Sequence, residues 1–330
     1  MKSKINLNGK NILITGANGM IGYQLTKLLL DNYNCVLTLS DIHGKSRFKW
    51  PQENTFYHSV DLRTMKDCYH ICQDQHIVFH LAGVKGSPKS AMTNPARYFV
   101  PMLQFNTNLL EAAKRCSADW ILNTSSVGVY AESERFVESD VWKTFPSKND
   151  WYPAWAKRMG ELVLDCYRDS DGGKWTSYTS VRPANVYGLY DNFGPDSMVI
   201  PSIIKKGHKS RVIRAWGDGT PVRDFINSED VARGMIHLVE NKVNDVVNLG
   251  SGQGFKIKQI VDTIAAYYGK KVEWMGDEKN KGDNIRLMDT TLAESYGFKP
   301  TKNLKDGIKE TIEWYLKNEN SSRSKSNTSK

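Results

Sequence analysis

The sequence contains no apolar run approaching the roughly 18 residues that a membrane-spanning helix requires, and its polar start lacks the apolar stretch of a signal peptide. Cysteine is sparse and odd in number, with five scattered through 330 residues. A secreted disulfide framework is therefore not expected, and a reducing, cytoplasmic setting suits the chain better. Cys68 and Cys72 would share one face of a helix, where buried apolar side chains are expected rather than metal ligands.

A broad basic surface is also lacking, although the formal net charge is +9. The two ends of the chain carry six of these nine charges, so the body is close to neutral and nucleic acid is not an expected partner. One internal stretch holds five cations and no acid: Lys205, Lys206, Lys209, Arg211 and Arg214. Two interpretations stay open for it, a solvated face or an attractive surface for a substrate diphosphate.

The hydrophobic residues, 40% of the chain, are arranged as short apolar runs that alternate with helical segments. This pattern predicts strands at 11–15, 35–39, 55–60, 77–81, 120–124 and 176–181. The alternation is typical of an α/β protein with a doubly wound parallel Rossmann sheet and, here, a smaller C-terminal α/β region. We expect domains over 1–182 and 183–317, and a disordered tail over 318–330, where apolar residues are absent.

A glycine-rich segment follows the first predicted strand and opens the first predicted helix. Glycine permits a tight turn there and close backbone approach to a pyrophosphate, while the helix N-terminus offers unpaired N–H groups to the anion. The segment therefore predicts a dinucleotide-binding domain over 1–182 and a mainly substrate-binding region over 183–317. The predicted cofactor contacts in this segment are Gly16, Asn18, Gly19, Met20, Ile21 and Gly22.

Residues after the next strands complete the predicted cofactor site. Asp41 lies just past the second strand, where a carboxylate can bind the adenosine ribose and repel a 2′-phosphate. This favours NAD over NADP, although Lys45 and Arg47 follow closely and could pair with that phosphate instead. Because ligands bind at the carboxyl ends of parallel strands, two further loops contribute. Their predicted contacts are Asp61, Leu62, Leu81, Ala82 and Gly83.

Several further motifs point to one family. They are His80-Leu-Ala-Gly83, Ser125-Ser126 with Tyr130, Lys157, Arg182-Pro-Ala-Asn-Val-Tyr-Gly188, Arg223-Asp-Phe225 and Asn248-Leu-Gly-Ser-Gly252. With the glycine-rich segment, they resemble the extended short-chain dehydrogenase/reductases, in the NAD-dependent nucleotide-sugar epimerase/dehydratase family. The resemblance covers 10–318 and implies a homodimer.

Within that family, segments 185–193 and 216–225 are most similar to the GDP-L-fucose synthases. This similarity implies a GDP-sugar substrate, which Asn185, Val199 and Arg223 would help to hold. Arginine suits this role because a guanidinium can bind a diphosphate bidentately.

The resemblance also implies a serine, a tyrosine and a lysine around the nicotinamide. Ser126 matches the serine that orients the sugar hydroxyl, and Lys157, expected to open a helix, matches the lysine that holds the cofactor ribose. Pro153 stands where the family has tyrosine, and the nearest phenol is Tyr152, about 100° further around a helix. A residue before proline need not be helical. Two alternatives stay open: Tyr152 is the acid/base, or that role is lost or relocated.

Departures from the family pattern narrow the predicted reaction. Val127 and Gly128 replace the Asp-Glu pair of the 4,6-dehydratases, which disfavours elimination. Gly128 and Met198 stand where fucose synthases have the cysteine and histidine that epimerise C3 and C5. Met102 replaces an asparagine that supports a water-mediated proton relay.

What remains is hydride transfer with one proton relay. We therefore predict an NAD-dependent nucleotide-sugar epimerase that acts on a GDP-sugar through a transient 4-keto intermediate. One alternative is a GDP-4-keto-sugar C4 reductase or dehydrogenase. The other is a protein that binds NAD and a nucleotide sugar without turnover.

Overall fold

The computed structural model describes residues 4–84, 86, 88–175, 177–276 and 283–319. These residues form strands β1 (Asn11–Thr15), β2 (Val36–Asp41), β3 (Thr55–Ser59), β4 (Ile77–His80), β5 (Trp120–Thr124), β6 (Arg135–Phe136), β7 (Tyr178–Pro183), β8 (Asn185–Tyr187), β9 (Val212–Ala215), β10 (Val222–Asn227), β11 (Val246–Leu249), β12 (Gly254–Lys256), β13 (Lys271–Trp274) and β14 (Ile285–Met288). The helices are α1 (Met20–Asn32), α2 (Met65–Cys72), α3 (Pro88–Thr93), α4 (Pro95–Arg115), α5 (Trp151–Ser170), α6 (Val199–Lys209), α7 (Ser228–Glu240), α8 (Ile257–Tyr268), α9 (Thr291–Ser295) and α10 (Leu304–Asn318).

Seven of the strands form one parallel sheet in the order β11-β7-β5-β4-β1-β2-β3. Strands β4 and β5 are buried along their whole length, as expected for strands covered on both faces. The order reverses between β1 and β4, and a crevice for a ligand is expected at the carboxyl ends of these two strands. The predicted α/β class and doubly wound sheet are confirmed, and the six predicted strands lie within two residues of the observed ones.

Helices cover both faces of this sheet with apolar side chains. Leu25 of α1 and Met235 of α7 pack into the core on one face, and Leu109 of α4 and Leu164 of α5 pack into the core on the other. Cys68 and Cys72 are also fully buried on this second face. Among the described helices, none has the length and apolar character needed to cross a bilayer.

A smaller region follows, with its own core between α6, α8 and α10. Its main sheet has the order β12-β10-β14-β6, in which β6 comes from the first part of the chain, with β8 beside β10 and a separate β13-β9 pair. The chain returns to the first sheet after 183, because β11 is the edge strand next to β7. The functional division at 182 stays a prediction. The predicted tail lies outside the described residues from 320 onward, and Asn318 ends α10.

A buried ion pair fastens the end of β7 to α5. Arg182 donates two hydrogen bonds to the Glu161 carboxylate, at 2.9 and 2.7 Å, and both side chains are 1% exposed. Arg182 also donates to the Tyr130 hydroxyl, which donates to Asn248 of β11. This network holds the chain where it leaves the sheet for the smaller region.

We expect Glu161→Gln to lower the free energy of unfolding by about 3–5 kcal/mol, because it leaves the Arg182 charge buried without its partner. Guanidinium denaturation followed by circular dichroism measures this loss. Asp262→Asn is the matched control, since it breaks an exposed pair with Lys258 and is expected to cost less than about 1 kcal/mol. Equal losses in the two variants would contradict the assignment.

Candidate active site

The glycine-rich segment joins β1 to α1 through contacts that exclude side chains. Gly16 has φ +66°, and a Cβ there would lie 2.9 Å from the Ala82 backbone nitrogen. A Cβ on Gly22 would lie 2.7 Å from the Gly16 carbonyl oxygen. Helix α1 begins with Met20 and Ile21, and no side chain caps it at Gly19. Its first turn is therefore suited to bind an anion.

Asn18 has a structural role that sequence reasoning missed. Its side chain donates to the Lys45 carbonyl oxygen and the Tyr57 hydroxyl, and it accepts from the Arg47 backbone N–H at 2.7 Å. The side chain thus holds the segment after β2 against the glycine-rich loop. The backbone N–H of Asn18 donates to Asp41 at 3.2 Å.

Asp41 lies at the end of β2, beside the glycine-rich loop, as predicted for a ribose ligand. Its carboxylate also accepts from His43, at 2.5 Å from the ring nitrogen. The Arg47 guanidinium stacks 5.5 Å from the Tyr190 ring centre and 5.6 Å from that of Phe48. The structure therefore places one of the two candidate phosphate-binding cations against an aromatic pair.

The loop after β3 is held by internal contacts. Arg63 donates to both oxygens of Asp61, and these hydrogen bonds hold the pKa of that carboxyl below its usual value. The Leu62 carbonyl oxygen accepts from the Cys68 thiol. The predicted cofactor contact through Asp61 would share a carboxylate that is already paired.

A chain of hydrogen bonds links the carboxyl ends of β1 and β4 to α5. Thr15 Oγ1 lies 2.9 Å from His80 Nδ1, and His80 Nε2 lies 2.9 Å from Asn106 Oδ1. The Asn106 amide donates to the Ala156 carbonyl oxygen at 3.2 Å. The Thr15 oxygen also accepts from the backbone N–H groups of Leu81 and Ala82.

These contacts assign the protonation of His80. The Thr15 hydroxyl accepts two N–H groups, so its own proton is directed to Nδ1, and the proton of His80 is on Nε2, facing Asn106 Oδ1. His80 is 1% exposed, and burial, aided by the charge of Lys157, lowers its pKa to about 3. The ring is therefore neutral and fixed in one tautomer.

Lys157 lies beside this chain of hydrogen bonds. Its Nζ donates to the Thr124 carbonyl oxygen at 2.7 Å, and burial lowers its pKa to about 8. A Cβ on Gly83 would lie 3.8 Å from Nζ, so the loop after β4 borders the lysine. The expectation that Lys157 opens its helix is wrong, because α5 begins six residues earlier, at Trp151.

Ser126 follows β5 two residues after Thr124 and caps a short 3-10 turn. Its Oγ accepts from the Gly128 backbone N–H at 3.1 Å. Because Thr124 contacts Lys157, the end of β5 brings the predicted serine and lysine to one edge of the sheet.

Tyr152 is the second residue of α5, since Pro153 is tolerated in the first turn of a helix. The structure therefore corrects the expectation that this residue need not be helical. The side chain is 46% exposed, and its ring packs edge-on against Phe99 at 6.0 Å. Tyr152 also lines a cavity of about 270 Å³ that reaches Met92 and Lys148. Its acid/base role stays a prediction.

The three predicted substrate contacts lie in the smaller region. Asn185 begins β8 and donates to the Asp224 carbonyl oxygen, and Val199 begins α6. Arg223 lies on β10, where burial and the charge of Arg286 lower its pKa to about 10.

The five-cation stretch lies on α6 and on the segment that continues through β9. Lys205 and Lys206 donate to backbone carbonyl oxygens, and Arg214 pairs with Glu273. Three of its five cations thus have partners within the chain. Both interpretations of the stretch stay open for the remainder.

Comparison with known proteins decides the family. Residues 12–250 match the model of the NAD dependent epimerase/dehydratase family. The chain belongs to this family. The prediction of an enzyme of NAD(P)-dependent epimerase or reductase type is confirmed at this level. Among the described residues, no group of three or more histidine, cysteine or acidic side chains could hold a metal ion.

Members of the family similar to this chain differ in their named activities. A probable GDP-L-fucose synthase of Oryza sativa is 31% identical over 256 residues, covering 74% of this chain and 76% of the relative. The solved UDP-N-acetylglucosamine 4-epimerase of Methanobrevibacter ruminantium has a TM-score of 0.82 at 25% identity, covering 94% and 99%. A Naegleria fowleri GDP-L-fucose synthetase bound to NADP has the same fold, with a TM-score of 0.82 at 21% identity and 98% coverage of both chains.

The buried histidine predicts a specific loss of stability in acid. Between pH 6.5 and about 3, the unfolded chain binds a proton at His80 that the folded chain does not. The free energy of unfolding therefore falls with decreasing pH, by up to about 1.4 kcal/mol per pH unit.

The matched variant is His80→Gln, whose amide retains one donor and one acceptor without ionising. Urea denaturation at pH 7.5, 6 and 5 should show a steeper loss for the wild type than for the variant. If the free energy of unfolding fell equally with pH in the two proteins, His80 would take up its proton in the folded protein as it does in the unfolded chain.

Proposed function

We propose that this protein is an NAD-dependent nucleotide-sugar epimerase, with a GDP-sugar as substrate, that acts through a transient 4-keto sugar. The observation that carries the proposal is the meeting of the glycine-rich loop, Ser126 and Lys157 at one edge of the parallel sheet. This arrangement can bind a dinucleotide and orient a sugar hydroxyl beside it.

The residues present fit a nicotinamide dinucleotide. The positions of Gly16 and Gly22 have no room for a Cβ, as expected where backbone must approach a pyrophosphate closely. Asp41 would accept from the adenosine ribose, and Lys157 would donate to the nicotinamide ribose. When bound, the cofactor supplies a reversible acceptor for the hydride of the sugar carbon.

The sugar would lie between the two regions of the chain. Ser126 Oγ would orient the reacting hydroxyl, and Lys157 would stabilise negative charge that develops as the proton leaves. Two alternatives stay open for the proton acceptor: Tyr152, or a group elsewhere in the site. Asn185, Val199 and Arg223 would hold the nucleotide and diphosphate, since a guanidinium binds phosphate oxygens bidentately.

Epimerisation at C4 regenerates the cofactor and needs no second substrate, which favours it over net reduction. Gly128 and Met198 carry no acid/base group for a second epimerisation of the fucose-synthase kind. The similarity to a named UDP-sugar 4-epimerase supports the same choice. A GDP-4-keto-sugar C4 reductase is the second candidate, because the rice relative at 31% identity is named as a GDP-L-fucose synthase.

We also propose a cytoplasmic homodimer formed through α4 and α5. Val100 of α4 and Leu162 of α5 are 46% and 45% exposed, on two helices that pack against each other. Apolar side chains on adjacent helices are suited to bind a second copy. The five cysteines are all free, which agrees with a reducing compartment.

The reaction type can be assigned by incubating the purified protein with NAD and a panel of GDP-, UDP- and dTDP-sugars. We expect new C4 isomers by chromatography, and no net gain in absorbance at 340 nm. Lys157→Met should lower the rate by at least about 100-fold, because the proton relay and the ribose contact share this residue. Stoichiometric reduced cofactor would instead favour a dehydrogenase, and silence across the panel would contradict the proposal.

The cofactor preference depends on the charge at Asp41. We expect the wild type to bind NAD at least about tenfold more tightly than NADP, because a carboxylate at the ribose repels a 2′-phosphate. Asp41→Ser should remove most of this difference, as measured by quenching of tryptophan fluorescence. Arg47→Gln is the control. If this substitution weakens NADP binding more than NAD binding, Arg47 binds the 2′-phosphate.

A further inference from the structure

Position 153 on α5 carries proline where a phenol is expected, so the proton acceptor of the proposed reaction is unassigned. Asp150 is the N-cap residue directly before α5, three residues before Pro153, and its own backbone is not helical. Tyr152 is turned about 100° from position 153 and packs on Phe99.

Asp150 stands at the N-cap of α5, yet its carboxylate does not cap the helix. An N-cap aspartate ordinarily accepts from the first free N–H groups of its own helix. Here Oδ2 instead accepts from Arg286 at 2.7 Å, and the side chain is 25% exposed. The ordinary structural reason for aspartate at this position is thus missing.

The Asp150 side chain packs against the turn that Ser126 caps. A Cβ on Gly128 would lie 3.3 Å from Asp150 Cγ and 3.6 Å from Oδ1. Gly128 donates its backbone N–H to Ser126 Oγ, so the serine and the carboxylate flank the same glycine. Among the described residues, no donor hydrogen-bonds to Asp150 Oδ1.

Two arginines place positive charge around Asp150. Arg286 pairs with it directly, and Arg223 of β10 lies close enough to interact with it electrostatically. Asp283 opposes this effect, but it shares Arg286 and also accepts from Ser147 and Asn149. The two carboxylates differ in access, since Asp283 is 2% exposed.

We propose that Asp150 accepts the proton of the reacting sugar hydroxyl in place of the missing tyrosine, an inference that rests on the proposed function. The hydroxyl O–H bond breaks and an O–H bond forms at Asp150 Oδ1. The electron pair of the adjacent C–H bond leaves as hydride to the nicotinamide dinucleotide, and a carbonyl forms. In the reverse step, the proton and the hydride return to the sugar. Glycine at 128 leaves the path between Ser126 and Asp150 open.

The first test compares kcat for Asp150→Asn, Asp283→Asn and Tyr152→Phe. Asp283→Asn is the matched control, because it removes the other carboxylate of the same arginine. We expect Asp150→Asn to lower kcat by at least about 100-fold, and Asp283→Asn to stay within about threefold of wild type. Asp150→Glu should restore part of the rate, and thermal melting checks that each variant folds.

Two results would overturn the proposal. Equal losses of kcat in Asp150→Asn and Asp283→Asn would mean that both carboxylates act only by pairing with Arg286, and that Asp150 does not accept the proton. Retention of more than half of wild-type kcat by Asp150→Asn, with loss in Tyr152→Phe, would assign the proton to the phenol.

A second test is independent of turnover and separates failure of this inference from failure of the proposed function. Calorimetry measures binding of GDP-mannose and its 4-deoxy analogue to the wild type and to Asp150→Asn. Loss of the hydroxyl should weaken binding by about tenfold or more in the wild type, as for hydrogen bonds to charged groups. Asp150→Asn should bind GDP-mannose and the 4-deoxy analogue with dissociation constants that differ by less than about twofold. If removal of the hydroxyl weakens binding equally in the wild type and in Asp150→Asn, the proposed contact with Asp150 is refuted. If neither GDP-mannose nor its analogue binds the wild type, the contact is refuted for GDP-hexoses, whatever the sugar panel shows.

Discussion

The site depends on one buried imidazole. His80 accepts from Thr15 at the end of β1 and donates to Asn106 of α4, which in turn donates to the backbone of α5. Because the ring is neutral and each nitrogen has one partner, it can adopt one orientation. The glycine-rich loop leaves from Thr15, the loop of Leu81 and Ala82 leaves from His80, and Lys157 follows Ala156. Three parts of the site are thereby held relative to a single side chain.

Helix α5 connects this cofactor side to the substrate side. Glu161 pairs with Arg182 in the core, and Arg182 joins the Tyr130 and Asn248 network that reaches the smaller region. At the other end of the helix, Asp150 pairs with Arg286 of β14. The same helix therefore carries Lys157, the buried ion pair with β7 and the ionic contact with β14 of the smaller region.

Proline at 153 is the main difference between this site and the family pattern, which has tyrosine at that position. It is accommodated in the first turn of α5, where its missing N–H would be unpaired in any case. The cost is chemical rather than structural, because the face of Lys157 loses a phenol. The carboxylate of Asp150, three residues earlier, and the open position at Gly128 are the features that compensate in our proposal.

The sequence alone predicted the sheet and the glycine-rich loop, because strand periodicity and glycine spacing are local properties of the chain. Ser126 and Lys157 were predicted from the resemblance to the family, and their roles stay predictions. The sequence also marked the anomaly at 153. It could not predict that β11 returns to the first sheet, that α5 begins at Trp151, or that the Asn18 side chain binds the segment after β2. The sequence could not predict the His80 tautomer or the Asp150–Arg286 pair either. Each of these depends on groups that are distant in sequence, and only the packed structure decides which donors and carboxylates meet.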